Sequence, residues 1–182
     1  KAKANMAMDI DQLDAIIDKF MDYSRPGEVR LQPVHLSGVV DREIASCRDP
    51  GSIQITSRVA IDTQVLADET ELGRVLQNLF ENARRYGRSA DTGIAQVEVT
   101  YAREGPWVSL NIRDHGPGVD MKKLPQLTTP FFRGDAARTA ATGAGLGLAI
   151  VEKALQRMGG TLELANAAQG GLVARIRLKR AI

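Results

Sequence analysis

The stretch "ATGAGLGLAIVEKALQRMGG" (residues 141–160) constrains the fold of this chain more than any other. Glycines at 143, 145 and 147 run directly into an apolar pattern of helical period. A glycine inside a helix costs about 1 kcal/mol against alanine, so their concentration here implies a backbone that something approaches closely. Two readings fit. The helix start could offer its free amides and dipole to an anion, or the helix could simply pack tightly on a sheet. The loop is not a Walker A loop, because no Lys-Ser/Thr follows the glycines. Nor is it a dinucleotide fingerprint, since Leu148 stands where a third glycine should be and no strand leads in.

The rest of the chain gives that helix a body to pack against. Its 182 residues suit one ordinary domain with an appendage. Apolar residues at 43% and charged residues at 25% fit a soluble globular protein. A net charge of +2 gives no electrostatic grip on nucleic acid or an acidic membrane, so no nucleic-acid partner is expected. The single cysteine, Cys47, excludes an internal disulfide and fits a reducing compartment. No apolar run approaches the roughly 20 residues that span a bilayer, and no signal peptide opens the chain.

Met6, Ile10, Leu13, Ile17 and Phe20 recur at the spacing of a coiled-coil or bundle seam, with Asp9, Asp11, Asp14, Asp18 and Lys19 on the outer faces. Arg25-Pro26-Gly27 should end that helix. Three heptads alone are marginal in water, so the segment is expected to need partner helices; packing on its own domain is the alternative. The boundary is placed at residue 27, leaving 28–182 as the body.

There the pattern is helical from Leu36 to Ala45, "SIQITSRV" reads as a strand, and "TQVLA" as a short one. Asp68 and Glu71 are spaced as a capping box. The following helix has an apolar face of Leu72, Val75, Leu76, Leu79 and Ala83, beside a polar row of Glu71, Arg74, Asn78, Asn82 and Arg85. "IAQVEVTY" and "WVSLNIRD" form a hairpin through Glu104-Gly105-Pro106, and "TLELA" and "GLVARIRLK" form another through Gly170-Gly171. Residues 128–142 form a long irregular loop of the kind that often serves as a lid. The expected fold is α+β: a two-layer sandwich with a mixed, mostly antiparallel sheet, helices on one face, and one long helix in front.

Four short motifs carry chemistry. Asn78 and Asn82 lie one helical turn apart, and an asparagine oxygen suits Mg2+, although such a pair is often mere surface. "RDHGPGV" ends a strand with Asp114, an acceptor-only carboxylate, followed by Gly116, Gly118 and Val119; a plain turn reads equally well. "PFFRGD" sets two aromatics beside Arg133 and Gly134, either a hinge with an arginine free to reach phosphate or a patch anchoring the loop. The glycine loop comes last.

In order and spacing, positions 78–87, 114–118, 131–134 and 143–148 resemble the N, G1, F and G2 boxes of sensor histidine kinases. That family shares its ATP-binding fold with gyrase and mismatch-repair ATPases. The resemblance spans almost the whole chain. "NARRYG", "PFFRGD" and "GLGLAIV" look most like osmosensing kinases of the EnvZ type.

The resemblance implies ATP and Mg2+ as ligands. Asn82 would supply the metal-binding oxygen and Asn78 would line the same cleft. Arg85 would meet phosphate oxygens and Tyr86 stack on adenine. Asp114 would accept the adenine amino hydrogen, with Gly116, Gly118 and Val119 giving the base room. Arg133 and Gly134 belong to the lid. Gly143, Ala144, Gly145, Leu146, Gly147 and Leu148 would form the phosphate loop, and Thr161 is also assigned to the nucleotide site. Catalysis would rest on Asn82 and Arg133. Where family members often carry threonine this chain has Ala144, which removes a hydroxyl contact.

The implied reaction moves the γ-phosphoryl group to a histidine of a dimerisation helix, for relay to a response-regulator aspartate. Here only His35 and His115 exist, and neither stands in the acceptor motif. His35 reads as a surface or cap residue, while His115 could flank the nucleotide. Residues 1–27 therefore resemble the second bundle helix, with the phosphoacceptor helix absent, so this chain should not label itself. The resemblance also implies a homodimeric parent, a cytoplasmic portion of an inner-membrane sensor. Two rivals remain: an ATP-hydrolysing clamp of the gyrase-like superfamily, and a non-enzymatic scaffold with a vestigial site. Asn78, where gyrase-like relatives carry a glutamate, argues against the first.

Overall fold

The computed structural model describes residues 2–24, 27–47, 51–132 and 145–181. The Arg25-Pro26 helix stop lies outside them. Helix α1 (Ala2–Ser24) leads into strand β1 (Gln32–His35), helix α2 (Leu36–Ala45), strands β2 (Ile53–Arg58) and β3 (Gln64–Ala67), and helix α3 (Glu69–Tyr86). The hairpin β4 (Ala95–Glu104) and β5 (Trp107–Asp114) follows, then helix α4 (Gly147–Arg157) and the hairpin β6 (Thr161–Asn166) and β7 (Leu172–Lys179).

The main sheet has the order β2-β4-β5-β7-β6. Only β2 and β4 run parallel; the other pairs are antiparallel, giving the mixed sheet expected. Alternate residues of β4, β5 and β7 face the helices: Val97 and Val99, Leu110 and Ile112, and Ala174, Ile176 and Leu178 are all buried. Against them α3 sets Leu72, Val75, Leu76, Leu79 and Ala83, and α4 sets Leu148, Val151, Ala154 and Leu155. Truncating one of the larger of these to alanine costs about 2–5 kcal/mol.

One strand escaped the reading of the sequence. β1 pairs antiparallel with β3 in a separate two-stranded sheet. Only Val34 of its four residues is buried, and Pro33 weakens the strand pattern. His35 caps α2 without a side-chain cap bond, lies exposed, and its Nε2 is 3.2 Å from Gln64 Nε2, as a surface residue would be.

The capping box is half formed. Asp68 accepts from the Glu71 amide at 3.2 Å, but Glu71 does not return the bond. Its carboxylate is held instead by Arg74 at 2.5 Å and Arg157 at 2.9 Å, while the Asp68 amide meets the Met158 sulfur. Two guanidinium groups outbid one backbone amide for a buried carboxylate.

Helix α1 docks on the body by one face only. Ile16 and Tyr23 pack against Leu146 and Ile150, and Lys153 Nζ donates to the Tyr23 carbonyl at 2.6 Å. Met6, Ile10, Leu13 and Ile17 of the seam point outward, about half exposed or more, while Phe20, 47% exposed, stacks on Phe131 at the edge of the body. The helix thus touches its own domain and still presents an apolar stripe. Among the described residues no helix is long and apolar enough to cross a membrane.

Candidate functional site

Helix α3 ends where β5 ends, and the cleft between them is the centre of the site. Its walls are Leu79, Asn82, Ala83, Ile112, Asp114, Leu148, Leu172 and Ala174. Six of these eight are apolar; Asn82 and Asp114 are the two polar groups. Apolar walls with a few orienting polar groups are the lining of small-molecule sites, although the space enclosed here is small. Asn82 is partly exposed, and its amide makes no hydrogen bond to another described residue.

Asp114 is 6% exposed, so its carboxylate must be well partnered. One oxygen, Oδ1, accepts from the Gly116 amide and from the Leu172 amide, both at 3.0 Å. Close backbone packing seals it there. A Cβ on Gly87 would lie 2.6 Å from the Asp114 side chain, and one on Gly171 only 1.9 Å from the Asp114 carbonyl oxygen. Gly116 packs on Gly87 in turn, its own Cβ position 2.6 Å from the Gly87 Cα. Gly118 has φ +74°, and the Val119 amide beside it donates to Asn166 Oδ1 at 2.8 Å. The glycines around Asp114 therefore have a demanding partner within the chain itself. His115 stays at the rim, its Nε2 3.5 Å from Glu98 Oε1.

The same holds for the glycine loop. At φ +72°, Gly145 has a conformation that side chains rarely adopt, and its Cβ position is 2.4 Å from the Phe132 carbonyl oxygen. The Phe131 amide donates to the Gly145 carbonyl at 3.2 Å, so two motifs far apart in sequence back onto each other. Phe131 itself has φ +65°, which is uncommon for a bulky residue. That turn leaves its ring exposed and stacked on Phe20 of α1, centroids 6.5 Å apart. Beyond Gly145, α4 begins with Leu146 at its N-cap, a residue with no side-chain acceptor for the first-turn amides.

One turn before Asn82, Asn78 is buried and both ends of its amide are engaged. Nδ2 donates to the Arg74 carbonyl at 2.9 Å, and Oδ1 accepts from Lys19 Nζ of α1 at 2.9 Å. Burial lowers the Lys19 ammonium below its ordinary value; Asp22 and Glu81 offset this, while Arg85 and Arg74 add to it. Glu81 shifts by a balance of opposites. Burial raises its carboxyl, but hydrogen bonds and charge from Arg84 and Arg85 prevail and hold it below the ordinary value. Arg85 is bound to Glu81 at 2.8 Å, and Tyr86 is about half exposed at the end of α3.

The structure thus brings Asn82, Asp114 and Leu148 to one cleft, with Gly116, Gly118, Val119, Gly145, Leu146 and Gly147 in the segments that frame it. Asn78 lies beside it, beneath Lys19. Thr161 does not join them. It is exposed and opens β6 opposite Arg177, whereas the β7 residue bonded to Asp114 is Leu172, at the other end of that strand. Arg133, Gly134, Gly143 and Ala144 lie outside the described residues. Leu79, Ala83, Ile112, Leu172 and Ala174 were legible only as core, because apolar periodicity does not distinguish a packed face from a cleft wall. Among the described residues no three His, Cys, Asp or Glu side chains cluster as a metal cage. A magnesium ion would fit as one held by the Asn82 oxygen together with ligand oxygens and water.

The family model described as histidine kinase-, DNA gyrase B-, and HSP90-like ATPase matches residues 67–182. Over 174 residues the chain is 30% identical to the signal transduction histidine-protein kinase/phosphatase MprB of Mycobacterium tuberculosis, an alignment covering 93% of this chain and 33% of that protein. It is also 30% identical to the sensor histidine kinase ZraS of Escherichia coli, covering 88% of this chain and 34% of ZraS. The chain therefore spans about a third of the length of these relatives. Among solved structures, that of the mycobacterial MprB superposes with a TM-score of 0.71 at 30% identity, covering 82% of this chain and 98% of the solved one. Full-length ShkA in complex with AMPPNP superposes with a TM-score of 0.77 at 27% identity, covering 94% of this chain and 36% of ShkA.

Proposed function

The chain belongs to the histidine kinase-, DNA gyrase B-, and HSP90-like ATPase family, and from that premise we propose that its parent is a two-component sensor kinase in which residues 28–182 bind Mg-ATP for phosphoryl transfer to histidine. The observation that carries the proposal is the meeting of Asn82, Asp114 and Leu148 in the walls of one cleft. The AMPPNP complex of ShkA supports a nucleotide as the occupant.

In this reading adenine lies between Leu79, Ala83, Ile112, Leu172 and Ala174, and Asp114 accepts from its exocyclic amino group. Guanine carries a carbonyl there, so its oxygen would face a carboxylate. The Gly116 and Leu172 amides fix the carboxylate before the base arrives, so little ordering remains to be done on binding. Asn82 directs the triphosphate through the magnesium ion, which neutralises charge on the phosphates. The uncapped first turn of α4 offers amides to the phosphates. Arg85 requires release from Glu81 to reach phosphate, and Tyr86 has room to turn over the base. Gly143, Ala144, Arg133 and Gly134 complete the proposed loop and lid.

Asn78 gives the chemistry its direction. An amide cannot take a proton from water, and this one is already bonded at both ends. Hydrolysis should be slow, sparing ATP for an acceptor. Neither histidine of the chain suits that role: His35 sits against Gln64, and His115 against Glu98. The acceptor is then a histidine on a further bundle helix of the same or a partner subunit, which the seam of α1 would help to assemble. A response regulator would take the phosphoryl group onward, and the parent would be a dimeric membrane sensor with this part in the cytoplasm. The test supplies γ-labelled Mg-ATP together with a histidine-bearing bundle helix in trans. Acid-labile label on that helix is expected; an acid-stable product, or steady turnover of ATP by the chain alone, would contradict the proposal.

A further inference from the structure

Lys19 of α1 reaches into the body at the asparagine row, and its surroundings are unusual for an ammonium. Its hydrogen bond goes to a neutral amide oxygen, Asn78 Oδ1, at 2.9 Å. Of the charged groups that act on it, Asp22 and Glu81 oppose its lowered pKa, while Arg74 and Arg85 reinforce it. Both acids have other calls on their charge: Asp22 lies 3.9 Å from Arg74, and Glu81 holds Arg84 and Arg85. Among the described residues the hydrogen bond of this desolvated cation goes to a neutral amide, and the two acids that act on it only partly compensate its burial, so an arriving anion would be stabilised there.

The position matches the charged end of the proposed ligand. The Asn78 oxygen that Lys19 holds is 3.7 Å from where a Cβ on Gly147, the first residue of α4, would stand. Lys19 is therefore beside the first turn of α4 and one helical turn from Asn82. Ile16 and Tyr23 hold α1 in that place against Leu146 and Ile150, and Phe20 on Phe131. A lysine has three donors, so Asn78 leaves two for phosphate oxygens.

We propose that Lys19 is a phosphate-binding residue of the nucleotide site, carried on α1, so that nucleoside polyphosphate binding and docking of α1 favour each other. This rests on the nucleotide reading above. By linkage the coupling is reciprocal: whatever α1 adds to nucleotide affinity, the nucleotide adds to α1 docking. Movement of the helix then changes the grip on ATP without touching the adenine end.

The test titrates Mg-ATP, Mg-ADP and adenosine into the full chain and its Lys19→Ala and Lys19→Arg variants by calorimetry. Lys19→Ala should weaken ATP about tenfold, ADP less, and adenosine not at all, with Lys19→Arg restoring part of the loss. Hydrogen exchange of α1 should slow on adding ATP to the native chain and not to Lys19→Ala. An unchanged ratio of ATP to adenosine affinity would overturn the inference while leaving the site intact. Tighter ATP binding by Lys19→Ala would overturn it too, making Lys19 an obstructing strap. Failure of the native chain to bind any of the three would sink the nucleotide reading itself.

Discussion

Asp114 and Lys19 both address helix α3, one at its C-terminal end and the other at its middle, and they are held there by different means. Asp114 is fixed by backbone: two amides donate to it, and Gly87, Gly116 and Gly171 close around it at distances no side chain would permit. Lys19 arrives on a separate helix and donates to the Asn78 side chain, beside a phenylalanine pair at the surface. The first region is held by backbone amides within the body. The second joins side chains on α1 to α3 and to the segment at Phe131. In the proposed reading, recognition of the base belongs to the fold, while the grip on the phosphates depends on where α1 lies.

The largest effect should come from breaking the rigid end. Gly171→Ala places a Cβ on the Asp114 carbonyl at a residue with φ +89°, combining overpacking with a left-handed conformation. A loss of about 3 kcal/mol or more is expected from the two together, read as a shift in the urea midpoint. The corresponding substitution at Gly170, whose Cβ would meet nothing within 4 Å, also suffers its φ of +101° but no clash, and should cost less.

Next in size is Asp114→Asn. The amide oxygen keeps one acceptor but loses the charge, and hydrogen bonds to charged groups contribute about 1.5–3 kcal/mol. Adenine nucleotides should weaken about tenfold or more in calorimetry, with adenosine affected as strongly as ATP. An equal affinity in native and variant chains would remove the adenine assignment. The contrast with Lys19→Ala, which should spare adenosine, is what separates the two regions.

The smallest effect concerns Glu81, whose ion pairs restrain Arg84 and Arg85. Its carboxyl lies below the ordinary value in the folded chain, so it contributes stability above the unfolded value of 4.5 and loses it as pH falls through the lowered folded value. Because the pair is substantially exposed, the contribution should stay under about 1 kcal/mol. Comparing denaturation of the native chain and Glu81→Gln between neutral and acidic pH should show a small difference that vanishes on acidification.

Much of the scaffold was legible because it rests on short-range rules. The apolar face of α3, the two hairpins and the alternation in β7 follow from period and turn chemistry, and the structure keeps them. What stayed hidden depends on contacts distant in sequence. Glycine at 145 announces a close approach, but nothing local shows that the Phe132 carbonyl makes it. Glu71 looked like half of a capping box until Arg157, 86 residues away, claimed it. Thr161 stood beside the right motifs in the chain and at the wrong end of its strand in space. In the sequence Lys19 is one more outer charge of the seam, because a sequence does not reveal which neighbour α1 docks against.

Entry of a purine between α3 and the end of β5 is the premise of every ligand prediction above. Backbone amide shifts of the chain, followed by NMR while Mg-ADP and then Mg-GDP are titrated, test this most directly. The account predicts that Mg-ADP produces its largest changes at Gly116, Leu148 and Leu172, and that Mg-GDP leaves those amides nearly unmoved at the same concentration. Changes confined to other surfaces, or equal responses to the two nucleotides, would contradict it.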